Sequence, residues 1–205
     1  MRTLLVSSVA LLALPALAYE PVGADGRPCH ITRGIYCPPG PLLSTAYWGK
    51  YAGGFEFHEA GAHSGRACAR VSVTDAARGG GVSQVVKLDQ TSPQPVKIAG
   101  WSKAEGVADG PRDFRYSVYV DFRYADGTAL YGPTAAFSSG THDWEYSEFI
   151  VKPEKPLAEA RVYAFLRQRT GTAYFDDLFV GPADGANLLK NAGFEPDDRK
   201  DHAAQ

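Results

Sequence analysis

Alternation is the strongest pattern in the chain. Between residues 114 and 124 the even positions are apolar (Phe114, Tyr116, Val118, Val120, Phe122, Tyr124), while the odd positions are Arg115, Ser117, Tyr119, Asp121 and Arg123. Successive side chains of a strand point to opposite faces, so this spacing predicts a strand with one core face and one polar, partly aromatic face. Asp126-Gly127 follows as a turn pair. A second segment repeats the arrangement, with Val162, Ala164 and Leu166 on one side and Arg161, Tyr163, Phe165, Arg167 and Arg169 on the other. Further strands are predicted over 81–88, 96–104, 144–151 and 172–180. Pro93, Pro95, Pro111, Pro133, Pro153, Pro156 and Pro182 fall between the runs, where a missing N–H breaks no ladder. No stretch sustains a helical period. The expected class is all-β, an antiparallel β-sandwich with Greek-key or jelly-roll connections, whose strand order periodicity does not fix.

The two ends read differently. Arg2, an apolar run from Leu4 to Leu17 and the small-x-small site Ala16-Leu17-Ala18 have the form of a secretory signal peptide over 1–18. The run is shorter than the ~20 apolar residues of a bilayer span, and no later segment is a candidate, so an exported protein without a membrane span is expected. Residues 19–47 form a Pro/Gly-rich leader. Cys29 and Cys37 lie within it, and in an oxidising compartment they are candidates for a disulfide closing a small loop. Cys68 alternates with polar neighbours and reads as a small core residue rather than a catalytic thiol. The folded domain is expected over 48–181, with a tail over 182–205. That tail contains Ala192-Gly193-Phe194-Glu195, an echo of Gly53-Gly54-Phe55-Glu56.

Composition narrows the function. The 205 residues are 44% hydrophobic, enough for one core, and 21 Lys plus Arg stand against 23 Asp plus Glu, so no cationic field suits a nucleic acid. The five histidines have no zinc-site spacing; His58-Glu59 is followed by His63, one residue too far for a His-Glu-x-x-His helix. Gly79-Gly80-Gly81 lacks the Lys and Ser/Thr of a phosphate loop and reads as a turn. Glu145, Glu148 and Asp121 could face one groove as the paired carboxylates of a small glycan hydrolase or lyase.

A lectin-like site asks for less: flat rings against sugar C–H faces, and planar polar groups for hydroxyls. The candidates are Tyr119, Tyr163 and Trp144 for stacking, and Arg115, Asp121, Arg123 and Arg167 for hydrogen bonding, with Tyr131 and Trp101 in reserve. Ordinary sandwich packing would account for the same tyrosines. The arginines point to an acidic glycan, because a guanidinium forks onto a carboxylate or sulfate.

Several pieces taken in order, Gly54-Phe55-Glu56, Ala62-His63-Ser64-Gly65, Val71-Ser72-Val73, Ser83-Gln84-Val85-Val86, Ile98 to Ala104 and Ala173 to Leu178, resemble the carbohydrate-binding modules of the CenC-type, galactose-binding-like jelly-roll group. The resemblance covers roughly residues 53–180. It implies a non-catalytic polysaccharide-binding module and a structural calcium held by Glu56, the His63 and Ser64 backbone, and Asp176, with Asp177 as second choice at that end. The segment 187–195 is similar to the opening of such a module, yet stands at the other end. A β-sandwich glycan hydrolase or lyase and a protein-binding adhesive surface domain remain the alternatives.

Overall fold

A computed structural model describes residues 47–196. The expected signal peptide, nearly all of the leader, the Cys29–Cys37 pair and residues 197–205 lie outside the described residues. Those described hold two antiparallel sheets and no helix long and apolar enough to cross a membrane.

In the first sheet the order is β1 (Gly49–Ala52), β4 (Gly79–Lys87), β10 (Leu157–Arg167), β6 (Tyr116–Tyr124) and β7 (Ala129–Leu130), and β8 (Thr134–Ala136) also pairs with β6. In the second it is β2 (Glu56–His58), β3 (Cys68–Val73), β11 (Gly171–Pro182), β5 (Val96–Val107) and β9 (Gly140–Val151). The alternation seen in the sequence is the alternation of burial. Tyr116, Val118, Val120 and Phe122 of β6, with Val162, Ala164 and Leu166 of β10, are buried against Val71, Ile98, Phe175, Leu178 and Val180 of the second sheet. Each such side chain contributes about 1.5–3 kcal/mol through its removal from water. Asp126-Gly127 makes the β6–β7 turn, with Gly127 at φ 86° and its N–H donating to the Tyr124 carbonyl.

Four details depart from the sequence reading. Phe114 precedes β6 and is exposed rather than core. β10 ends at Arg167, because Gln168 turns to φ 54°; Arg169 instead turns inward and donates to the Pro111 carbonyl and the Asp113 carboxylate. The three glycines are not a turn. They begin β4, where a Cβ at Gly80 would lie 2.9 Å from Val71, and one at Gly81 would lie 2.4 Å from the Ala164 carbonyl oxygen.

The fourth departure is the segment 187–195, which packs as part of the sandwich. Asn187 bonds the backbone of Leu178 and Val180 in β11, Gln84 of β4 bonds the Lys190 backbone in both directions, and Phe194 is fully buried. The two Gly-Phe-Glu motifs therefore lie side by side, with the rings of Phe55 and Phe194 6.4 Å apart.

Candidate functional site

The outward face of the first sheet carries the aromatic row expected from the odd positions. Register sets Tyr163 beside Tyr119 on one flank and beside Ser83 on the other. The rings of Tyr119 and Tyr163 are 6.3 Å apart, and both pack against Phe165, at 5.7 and 6.0 Å. Phe165 is thus outward-facing and still buried, because the neighbouring rings cover it. Tyr51 of β1 completes the cluster, stacked on Phe165 at 5.0 Å and edge-on to Tyr163 at 5.5 Å. Burial raises the Tyr119 and Tyr163 phenols above their ordinary range.

Cations surround this row. The Arg167 guanidinium lies over three rings, 4.7 Å from Phe114, 4.8 Å from Phe165 and 5.6 Å from Tyr119, and its Nε is buried without a hydrogen-bond partner. Arg123 and Lys87 share the Glu159 carboxylate. Arg115 is tied down by Asp113 and Gln168. Arg161 and Asp121 face each other in register, and a cavity of about 280 Å³ opens beside them, reaching Arg123 and Tyr131. A second cavity of about 450 Å³ lies over Tyr51, Ser83, Val85, Arg161 and Tyr163.

Of the sequence-selected residues, Tyr119, Tyr163, Asp121, Arg123 and Arg167 share this face, and Arg115 stands at its rim. Trp144 does not join them. It lies on β9 in the second sheet, with Trp101 on neighbouring β5, where His63 stacks on Trp101 at 3.9 Å and meets Trp144 edge-on at 5.7 Å. Tyr51 was missed, because β1 has only four residues and no alternation of its own. The three carboxylates considered for hydrolysis are likewise divided, Asp121 on the first sheet and Glu145 and Glu148 on the second. Glu145 is engaged by Arg112 and Ser138.

The residues considered for calcium do not converge into an oxygen cage. Glu56 is exposed and paired with Arg70. Asp176, fully buried, accepts the N–H groups of His63 and Ser64 on one oxygen and that of Asp177 on the other. A bulge after Asp176, with Asp177 at φ 46°, turns Asp177 to the same side, where it receives His63 Nδ1 at 2.7 Å and the Ser64 hydroxyl at 2.8 Å. The Asp176 and Asp177 oxygens accept N–H and O–H donors here, and Glu56 pairs with Arg70 instead of joining them. Among the described residues no group of three His, Cys, Asp or Glu is placed to hold one.

No protein-family profile matches the chain, and no curated protein does. Solved structures do match. The chain is similar to the CBM22-1 xylan-binding domain from Paenibacillus barcinonensis, with a TM-score of 0.51 and 17% identity over 70% of this chain and 90% of that one. It is similar to the C-terminal family 22 carbohydrate-binding module of a Clostridium thermocellum protein, with a TM-score of 0.50 and 15% identity over 70% and 90%. It is also similar to the enzymatically active domain of tailspike protein 4 of bacteriophage CBA120, with a TM-score of 0.51 and 10% identity over 70% of this chain and 20% of that much longer one. At such identities the likeness is one of fold: the antiparallel jelly-roll β-sandwich expected from the sequence is the fold found.

Proposed function

We propose that this chain is an exported, non-catalytic module that binds a polysaccharide across the outward face of its first sheet. The observation that carries the reading is the packing of Tyr51, Tyr119 and Tyr163 around Phe165 on a solvent-facing sheet surface, flanked by guanidinium groups and open cavities. Rings of this kind present apolar faces to sugar C–H groups while their hydroxyls and the nearby Arg161 and Asp121 meet the sugar oxygens. The carbohydrate-binding modules of the same fold support the reading, and the division of the acidic residues between two sheets supports a role without hydrolysis.

The test is a titration of the protein against soluble xylan, galactan and polyuronates, with reducing-sugar release followed in the same samples. Binding without release is expected. Release of reducing ends would overturn the non-catalytic reading, and failure to bind any polymer would favour a surface that docks protein.

A further inference from the structure

We infer that the bound glycan is anionic and that Arg167 reads its carboxylate; this rests on the glycan-binding reading above and adds the ligand's charge. Two observations on the same sheet carry it.

The first is the state of the Arg167 side chain. Its guanidinium is held among Phe114, Phe165 and Tyr119 at 4.7, 4.8 and 5.6 Å, and stacking of this kind fixes the plane of the group while leaving its edge for hydrogen bonding. The Nε–H is nevertheless buried and unbonded, and no carboxylate among the described residues forms an ion pair with Arg167. The side chain is only half-buried, no hydrogen bond among the described residues engages its terminal nitrogens, and a planar carboxylate accepting from those two nitrogens would give the charge the partner it lacks. Arg115, whose backbone carbonyl accepts the Arg167 N–H, shows the contrast: Asp113 and Gln168 already occupy its side-chain donors.

The second observation is the charge balance of the face. The outward positions of β4, β10 and β6 carry Lys87, Arg161, Arg167 and Arg123 against Glu159 and Asp121. Lys87 and Arg123 converge on the one Glu159 carboxylate, at 2.6 and 3.4 Å. Arg161 has Asp121 opposite it in register and Arg167 has no carboxylate partner; the face carries a surplus of two positive charges, with Arg161 and Arg167 at the two ends of the row Arg161, Tyr163, Phe165, Arg167. Six residues of strand separate their Cα atoms by roughly 20 Å. A chain bearing repeated carboxylates would lie along the rings and meet a guanidinium at each end, whereas a neutral glycan would leave Arg167 without an acidic partner. The chemical class is a polyuronate.

The experiment uses polygalacturonate, alginate and glucuronoxylan, each with a counterpart whose carboxyls have been reduced to alcohols, titrated calorimetrically at low and high salt. At least one uronate polymer should bind about 10-fold or more tightly than its reduced form, and added salt should erode the difference. Arg167→Gln should weaken binding of the uronate polymer at least about 5-fold more than binding of its reduced form, so that the preference narrows. Thermal melting verifies the fold of that variant; if it does not fold, exposed Arg161→Gln is titrated instead and should likewise lose more affinity for the uronate polymer than for its reduced form. Equal binding of native and reduced polymers, or equal loss for both in the variant, overturns the carboxylate inference and leaves the glycan reading standing. Absence of binding to all six polymers and to neutral xylan and galactan overturns both.

Discussion

Tyr51 lies on Phe165 with ring centroids 5.0 Å apart and planes 28° apart, and the strand residue between their two backbones is Gly81. A side chain at that position would occupy the space the two rings close over. A Cβ there meets the Ala164 carbonyl oxygen at 2.4 Å and Phe165 Cβ at 2.6 Å, so backbone must move to admit it. Gly81→Ala is expected to cost about 2 kcal/mol of stability, as overpacking does. Denaturant unfolding measures it, and an unchanged midpoint would contradict the close approach.

The aromatic cluster and the Trp144 surface belong to different sheets, and binding should separate them. Tyr119→Ala and Tyr163→Ala should each weaken glycan binding by about 1 kcal/mol, roughly fivefold. Trp144→Ala should leave the affinity unchanged. Affinity electrophoresis in gels containing the bound polymer reads all three; a selective loss in the tryptophan variant would move the site to the second sheet.

Asp176 gives the domain a pH dependence of unusual sign. Burial pushes its carboxyl up to about 6, against its ordinary value of 3.8, despite three backbone N–H donors that favour the ionised form. The folded state therefore holds this proton more tightly than the unfolded chain. Its contribution to stability is full below about pH 4 and is lost as the pH rises to about 6, by up to about 3 kcal/mol. Asp126 and Glu159 act in the opposite sense, since their lysine partners lower their carboxyl values. The slope of stability against pH between 4 and 6 should accordingly be more positive in Asp176→Asn than in the unmodified protein, whatever the variant's overall loss. Identical slopes would remove the assignment.

Phe194 fills a pocket made by Trp48, Phe55 and Phe57, with rings at 5.0, 6.4 and 6.3 Å, and is fully buried. Phe194→Ala should cost about 3–5 kcal/mol. Removing residues 187–205 should expose the edge of the core and prevent cooperative melting; a truncated chain that melts like the full one would show that the segment only rests on the surface.

Cys68 is buried beside Asp176, and burial, followed by that carboxylate, drives its thiol up to about 12. In a variant with Cys29 and Cys37 replaced by Ser, a thiol reagent at pH 8 should fail to label the folded protein and label it fully in denaturant. Rapid labelling of the native state would mean that Cys68 is accessible.

Much of this architecture was legible because alternation is a local property. The odd and even positions of β6 and β10 reported the two faces of the first sheet directly, and Tyr119, Tyr163 and Arg167 came out together for that reason. What escaped depended on distant partners. Tyr51 becomes part of the site only because β1 pairs with β4 across Gly81. Phe165 is buried on an outward face because two other strands, β1 and β6, lay rings over it. The glycines of β4 resembled a turn since nothing local shows that backbone approaching from distant segments leaves no room for side chains there. Trp144 lies apart from the tyrosines because sheet membership, unlike facing, is set by strand order. The fate of residues 187–195 depended on Gln84 and Trp48, more than a hundred residues earlier.

That returning segment joins the layers where the sheets themselves do not. Its bonds reach β4 through Gln84 and β11 through Asn187, and Glu195 accepts the Arg66 N–H ahead of β3. Tension applied beyond residue 196 would thus load this seam in shear across both layers before it could peel β11 from its neighbours. The resistance of the module to being dragged along a surface would be set by a handful of amide bonds and one phenyl ring, with the sheets held in reserve.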